Sequence, residues 1–510
     1  MLTIDKITSA SAAVRHISAG ATIAIQGAGG GTGEPTALLR ALRQRFDTEN
    51  APSDLRLIHA SGLGDKAGGC GTDLLAVPGL VRCDIAGHLG MAPAMAAMIT
   101  ADQIECYNWP QGVISHLFRA TAANTPGVFT KIGLHTFIDP RVEGGRMNPR
   151  TTRDLVRVIT LDDEEWLFFP KLKIDVAFVR GTTADAKGNI SAEDEAAIYE
   201  GISIAQAVKA SGGIVIAQVK RLAETGSLNP REVVIPGVSV DYVVVDPAQK
   251  QTVTAEFDPS LSGAVRRPVS GYARLPLDER KVVARRAARE LRPGMAINVG
   301  VGMPDGIAPV AAEDRLLDAL TFTIEQGLVG GVPAGGVIFG VSHNPEARIH
   351  QSHQFDFYDG GGLDVAFLGL AQADQYGNVN VSKVGRLLPG CGGFINISQN
   401  ARRVVFCGTF TAKGLDVVVS DGRLVLRQEG QVRKFVADVQ QITFSGRNAQ
   451  ANRQPVLFVT ERAVLELRPS GLVVTEIAPG IDLQRDVLGQ MDVPAAVAPD
   501  LKLMDDALFR

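Results

Sequence analysis

The sequence predicts an α/β protein with a mainly parallel sheet, built twice in one chain. Three observations predict it. Short apolar runs such as "TIAIQ", "LRLIH", "IDVAFV", "GIVIAQV" and "YVVVD", and later "AINVG", "FTI", "LDVAFLG", "RVVFCG" and "PVLFVT", alternate with helical patterns. The chain contains 55 glycines but only 5% aromatic residues, the composition of many tight strand-to-helix turns. Most telling, the chain repeats itself.

"DVAFVRGTTADAKGNIS" begins at Asp175 and "DVAFLGLAQADQYGNVN" at Asp364. In both, a second aspartate (Asp185, Asp374) follows ten residues later, with Gly188-Asn189 and Gly377-Asn378 in the same relative places. Upstream, "AVRHISAGATIAIQGAGGGTGEP" and "AARELRPGMAINVGVGMP" both read helix, glycine (Gly20, Gly294), strand, glycine turn and proline (Pro35, Pro304). A third pair, "LIHASGLG" and "FTIEQGLVG", sets Ala60 opposite Glu325. Gly20 lies 155 residues before Asp175 and Gly294 only 70 before Asp364, so the first copy holds about 85 more, between the strand at 55–60 and Asp175. The irregular, Pro- and Gly-containing stretch "TAEFDPSLSGAVRRPVSGYARLPLD" reads as a crossing segment. The expected division is therefore a first domain 1–255, a linker 256–276 and a second domain 277–510.

Each element has a local cause. In "TALLRALRQRF" (36–46), Leu38, Leu39, Leu42 and Phe46 share one helix face, and Pro35 stands at a favoured first-turn position. Asp175 and Asp364 open equivalent strands and are expected to serve the shared fold. "QFDFYDGGGLD", with Asp356 and Asp359, reads as a turn near the ligand.

At 510 residues the chain exceeds one core of ordinary size. Net charge −4 argues against a general nucleic-acid or membrane-surface binder. The first residues lack a signal-peptide core and no apolar run reaches spanning length, so a cytoplasmic protein is expected. Its five cysteines (Cys70, Cys83, Cys106, Cys391, Cys407) form no C-x-x-C pair and are expected to be reduced and mostly buried. His343, His350 and His353 lie within eleven residues, but no carboxylate–histidine motif or thiolate cluster accompanies them, so no metal is expected.

"GAGGGTG" (Gly27 to Gly33) and "GVGMPDG" both miss the dinucleotide pattern G-x-G-x-x-G, and no P-loop motif is present. Glycine turns that open helices still expose backbone N–H groups suited to a phosphate or an oxyanion. For Gly20 and Gly294 close packing is the better reading. In "TFTIEQGLVGG" an apolar strand ends on one carboxylate, Glu325, before a glycine run. The first copy keeps the strand but carries Ala60 there, so the fold does not need the charge. Such a strand end in an open α/β sheet is where ligands bind.

Together these segments resemble the family I coenzyme A-transferases, the first half the α-type and the second half the β-type, fused. "TIEQGLVGG" resembles the family's catalytic glutamate and glycine turn, with Gln326 departing from many relatives. "PGCGGFINIS" (Pro389 to Ser398) resembles its second glycine motif, "WPQG" its Pro-Gln-Gly segment, and "TERAVLEL…GLVVTEIAPGIDL" its C-terminal signature. "DFYDGGGLDVAFLGLAQ" and "PGCGGFINISQNARRVVFCGTFTA" resemble the single-chain acetate/propionate CoA-transferases in particular.

The resemblance implies two open α/β domains of the ribose-5-phosphate isomerase/CoA-transferase type, related by duplication, with the active site between them. It also implies ping-pong exchange of coenzyme A between a short-chain acyl-CoA and a free acid such as acetate, propionate or butyrate. Glu325 would be the nucleophile, ionised at neutral pH with an exposed-carboxyl pKa near ~4.3. Gln111 and the backbone N–H of Gly392 or Gly393 are candidates for the oxyanion hole. Gly27, Gly29, Gly30, Gly31, Gly327, Gly330, Gly331 and Gly390 are candidates for binding substrate and coenzyme A, the glycines after Glu325 by leaving room for the thioester and its pantetheine arm. No tightly bound cofactor is expected, coenzyme A being substrate, and the expected assembly is a homo-oligomer, dimer or tetramer. Two rivals remain: an acyl-CoA hydrolase on the same fold, and a sugar-phosphate-sensing regulator, which would need a DNA-binding helix pair not seen in the sequence.

Overall fold

A computed structural model describes residues 6–268 and 274–510. The first half forms an eight-stranded sheet, in the order Ile7–Thr8, Tyr242–Val245, Ile214–Val219, Val176–Arg180, Thr22–Ile25, Leu55–His59, Val81–Ala86 and Glu105–Asn108, with every pairing parallel. Thr22–Ile25 and Val176–Arg180 are buried at every position. That is why they read as continuous apolar runs rather than alternating ones.

The second half repeats the arrangement. Its ten-stranded sheet has a parallel centre of Thr321–Ile324, Ala296–Val299, Val365–Gly369, Val404–Cys407 and Val456–Val459. These stand in the same order as Leu55–His59, Thr22–Ile25, Val176–Arg180, Ile214–Val219 and Tyr242–Val245.

The repeated residues make repeated bonds. Asp175 accepts from the Thr22 N–H and Asp364 from the Ala296 N–H, each at 2.9 Å. Asp185 caps its turn by accepting from Asn189 N and Nδ2, and Asp374 does the same with Asn378. The Gly20 N–H donates to Ser53 O and the Gly294 N–H to Ala319 O. One aspartate joining two adjacent strands is the physical content of the sequence repeat.

The halves differ outside these centres. The additional residues of the first supply the strands Val81–Ala86 and Glu105–Asn108, the helix Gln111–Ala122 and a three-stranded antiparallel sheet, Gly127–Thr130, Glu164–Pro170 and Arg157–Leu161. In the second half, the chain after Thr321–Ile324 folds back antiparallel through Leu328–Val329. At the other edge, Ala463–Arg468, Gly471–Ile477 and Ala496–Leu503 extend the sheet.

Two sequence expectations are corrected. The helix at 36–46 runs as Thr36–Glu49, with Pro35 as its N-cap rather than in its first turn. Asp356 and Asp359 are not in a turn but on the helix Gln351–Asp359, where Asp356 pairs with His116 at 3.0 Å and Arg119 at 3.0 Å from the first half. Pairing across the halves is invisible to a local reading. Of the segment 256–276, residues 269–273 lie outside the described residues; before them Pro259–Ser262 forms a helical turn with Leu261 buried.

Each half has its own hydrophobic core. Leu388, Cys391 and Ile395 of the second half pack into the core of the first. The loop carrying them is thus held from both sides.

Candidate active site

Glu325 directly follows the strand Thr321–Ile324, whose last three residues are buried. The adjacent Asn298 donates to Thr323 O at 3.0 Å and lies beside Tyr358 Oη at 3.4 Å. The Gly327 N–H closes the turn on Ile324 O at 3.0 Å, and Ile324 faces Leu328 across the antiparallel pair. Gly327 has φ +98°, and a Cβ there would sit 2.0 Å from Ile349 O. Only glycine permits that approach.

Glu325 is half-buried, not exposed as the sequence suggested. Burial pushes its carboxyl pKa up, opposed by hydrogen bonds from its own backbone N–H and from Asn298. Desolvation makes the carboxylate a better nucleophile, while the two donors oppose the rise.

The carboxylate opens into a cleft of about 1190 Å³ between the halves. Of the residues singled out in the sequence, the cleft wall includes Glu325, Gln111, Gly392, Gly393, Gly390 and Gly29. Gly27, Gly30, Gly31, Gly327, Gly330 and Gly331 do not line it. Their missing side chains make room for protein instead. A Cβ would meet Glu34 at Gly27, Val337 O at Gly30, Val253 at Gly31, Glu346 at Gly330 and His343 O at Gly331, all within 3.0 Å. The glycines behind Glu325 therefore let the chain return against residues 343–349 rather than clear space for a ligand.

The two halves meet at "WPQG" and "PGCGG". Asn108, buried at the end of Glu105–Asn108, donates to Ala86 O and Gly87 O and accepts from the Cys391 N–H at 2.8 Å. The Gln111 N–H donates to Gly392 O at 2.9 Å, and the Gly392 N–H donates to Gly87 O at 2.7 Å. Gly392 thus spends its N–H on the fold. The Gly393 N–H has no hydrogen-bond partner among the described residues. The Gln111 side chain is buried, with Nε2 donating to Ser61 Oγ at 2.9 Å and Gln351 Oε1 at 3.3 Å.

Sequence reading missed several residues here. Asn298 and Ser61 line the cleft, and Gln351 stands behind it. His88 also lines it; burial lowers its pKa to about 4, so the ring is neutral at physiological pH. "GHLG" after the strand Val81–Ala86 was the available signal, a histidine between glycines at the carboxyl end of a parallel strand. Cys391 and Cys407 line the cleft as well, and burial pushes both thiols up; all five cysteines are buried and free. His343 shares a 2.8 Å hydrogen bond with Ser260 Oγ, and the His350 and His353 rings meet edge to face. Among the described residues no helix is long and apolar enough to cross a membrane.

A carboxylate at a strand end thus faces a cleft between two duplicated halves. The family model described as coenzyme A transferase matches residues 7–246. Over 99% of its length the chain is 47% identical to the caffeate CoA-transferase of Acetobacterium woodii, covering 97% of that protein.

The chain belongs to the coenzyme A-transferase family.

Its reaction is the family's transfer of coenzyme A between an acyl-CoA and a free carboxylate. The chain is also 43% identical to the acetate CoA-transferase YdiF of Escherichia coli K12, over 99% of this chain and 95% of that one. Among solved structures, the apoenzyme of the acyl-CoA transferase YdiF from E. coli O157:H7 superposes with a TM-score of 0.96 at 42% identity, covering 100% of this chain and 97% of that one. A thioester complex of that transferase with CoA superposes with a TM-score of 0.93, covering 99% and 96%.

Proposed function

We propose that the chain exchanges coenzyme A between short-chain acyl-CoA and free carboxylic acids of the acetate, propionate and butyrate type, through a covalent thioester on Glu325. The observation that carries this reading is the half-buried carboxylate at the end of a buried strand, facing the inter-half cleft, where the duplicated strand ends on Ala60. The Glu325 carboxylate attacks the thioester carbonyl and the CoA thiolate leaves, giving an acyl-glutamyl anhydride. The thiolate then attacks the glutamyl carbonyl, releasing the first acid and forming a glutamyl-CoA thioester. A second acid runs the steps in reverse. The bond broken and the bond made are alike, so no ATP is needed.

Oxyanion stabilisation is assigned to the free Gly393 N–H and to Gln111, whose amide must exchange a protein partner for the substrate oxygen. Gly29 and Gly390 contribute wall to the bound substrate. Lys66 and Arg386, exposed on the cleft lining and in no ion pair among the described residues, suit the phosphates of coenzyme A, and apolar Val301 and Leu387 of the same lining suit its uncharged parts.

The test is incubation with acyl-CoA in the absence of acceptor. A CoA-sized adduct should appear on the peptide containing Glu325, borohydride should then inactivate the enzyme, and Glu325→Ala should fold, form no adduct and lose exchange. Glu325→Asp withdraws the carboxylate by on the order of 1.5 Å, for which a loss of about 10²-fold is expected. An alanine variant that transfers at near-parent rates would remove Glu325 from the mechanism. CoA release without an acceptor acid would instead favour hydrolysis. A panel from acetate to octanoate, with caffeate included, reads the pocket: each extra buried CH₂ contributes about 0.8 kcal/mol only while space lasts. Rates rising through octanoate would exclude a short-chain specificity. The same reading takes 1–255 and 277–510 as the two domains, the protein as cytoplasmic, and the assembly as a dimer or tetramer, which light scattering checks.

A further inference from the structure

Gln111 is one of four buried polar side chains in a closed ring that spans the two halves. Its Nε2 donates to Ser61 Oγ at 2.9 Å and to Gln351 Oε1 at 3.3 Å, and Ser61 Oγ donates to the same Gln351 oxygen at 3.2 Å. Gln351 Nε2 donates to Ser115 Oγ at 2.8 Å, and Ser115 Oγ donates to Gln111 O at 3.0 Å. Gln351 and Ser115 are fully buried, and Ser61 and Gln111 nearly so. Gln111 and Ser61 line the cleft; Gln351 does not. It opens the helix Gln351–Asp359, its backbone N–H fixed on Tyr199 O at 3.1 Å.

Both hydrogens of the Gln111 amide are thus given to protein. Its Oε1 has no partner among the described residues and lies on the side of Gly392, about 4.0 Å from where a Cβ of that residue would stand. In this arrangement Gln111 offers the cleft a hydrogen-bond acceptor, and an acyl oxyanion needs a donor. Turning the Gln111 amide alone would set its oxygen against Gln351 Oε1, two acceptors with no hydrogen between them. Turning both amides keeps the ring closed, the one bond given up being that from Ser115 Oγ to Gln111 O. Gln351 Nε2 and Ser61 Oγ then donate to Gln111 Oε1, Ser115 Oγ donates to Gln351 Oε1, and Gln111 Nε2 faces the cleft. The O and NH₂ ends of an amide are nearly the same size, so the reversal requires no repacking.

We propose that Gln351 is a positioning residue whose amide orientation decides whether Gln111 presents an acceptor or a donor to the cleft, the reversed ring being the state that receives the acyl oxyanion. The inference rests on the reading of Gln111 as an oxyanion donor. Gln351 itself touches no reacting atom.

Gln351→Glu tests it, because an ionised carboxylate accepts from Gln111, Ser61 and Ser115 alike and holds Gln111 in the acceptor orientation. The expected result is a fall in kcat of about 10²-fold, with KM for acyl-CoA within about threefold. That defect should recede as pH falls and the buried new carboxyl takes up a proton, since its O–H can then donate as the amide does. Gln351→Met, similar in size and unable to hydrogen-bond at this distance, frees the Gln111 amide to turn and should keep at least about one third of kcat. It carries the test if the charged variant does not fold.

Equal losses in the two variants, a parent-like kcat for Gln351→Glu, a deficit unchanged by pH, or a methionine variant below one tenth of parent would each overturn the proposal. The parent's CoA adduct is measured alongside. No adduct on Glu325 in the parent refutes the thioester reading, whereas a normal parental adduct with an unimpaired Gln351→Glu refutes the role of Gln351 alone.

Discussion

Glu34 is another acid that burial holds out of its ordinary range, and its titration tests how the glycine loop is supported. The side chain is fully buried behind the loop, Oε1 accepts from the Gly64 N–H at 2.7 Å, and a Cβ on Gly27 would meet its Cγ at 2.8 Å. Burial raises its pKa from 4.5 to about 7, with the Gly64 and Cys70 hydrogen bonds and Arg180 opposing the rise. A carboxyl whose pKa is higher when folded binds more protons folded than unfolded. It therefore lowers stability as pH rises between 4.5 and about 7.

Applied to pH 5 and pH 8, those two pKa values give a destabilisation larger at pH 8 by about 2–3 kcal/mol. Glu34→Gln keeps the acceptor for Gly64 and removes the titration. Whatever its extra N–H costs is the same at both pH values, and Glu200, raised to about 8 by its own burial, titrates in parent and variant alike. The variant should gain about 2–3 kcal/mol on the parent between pH 5 and pH 8. That is roughly 5 °C in the difference of their melting temperatures if the first half unfolds as a unit. Thermal melts of both proteins across that range are the assay. A difference between them that does not change with pH would show that Glu34 is not held protonated by burial.

Two other perturbations follow from the same packing. Asn298→Ala removes a donor from Glu325 and one from Thr323 O, at a stability cost of about 1–3 kcal/mol. The Glu325 pKa should rise further, moving the acid limb of kcat/KM to higher pH, and an unmoved limb would show that Asn298 does not stabilise the ionised form. Gly390→Ala forces a side chain into backbone with φ +78° and puts its Cβ 2.7 Å from Asn108 Nδ2. About 2–4 kcal/mol of destabilisation and a raised KM for acyl-CoA are expected, and a melting temperature within 1 °C of the parent would refute that account of the cleft wall.

The sequence by itself determined the α/β class, the duplication and the isolation of Glu325. Each depends on properties local along the chain. A buried parallel strand must be a continuous apolar run, a turn with positive φ favours glycine, and an aspartate that ties neighbouring strands recurs wherever the unit recurs. Comparing the copies then exposed the one strand end where the second half carries a charge and the first does not.

Only the tertiary structure decided what surrounds that charge. Gly392 and Gly393 are adjacent in "PGCGG", yet Gly87, more than 300 residues away in sequence, takes the N–H of one and leaves the other free. The glycines after Glu325 looked like room for a ligand, but the returning segment 343–349 occupies that room. Gln351 carries no sequence signal, because its meaning lies in facing Gln111, 240 residues earlier. Hydrogen bonds are settled by which groups meet in space, and for this site the partners come from opposite halves of the chain.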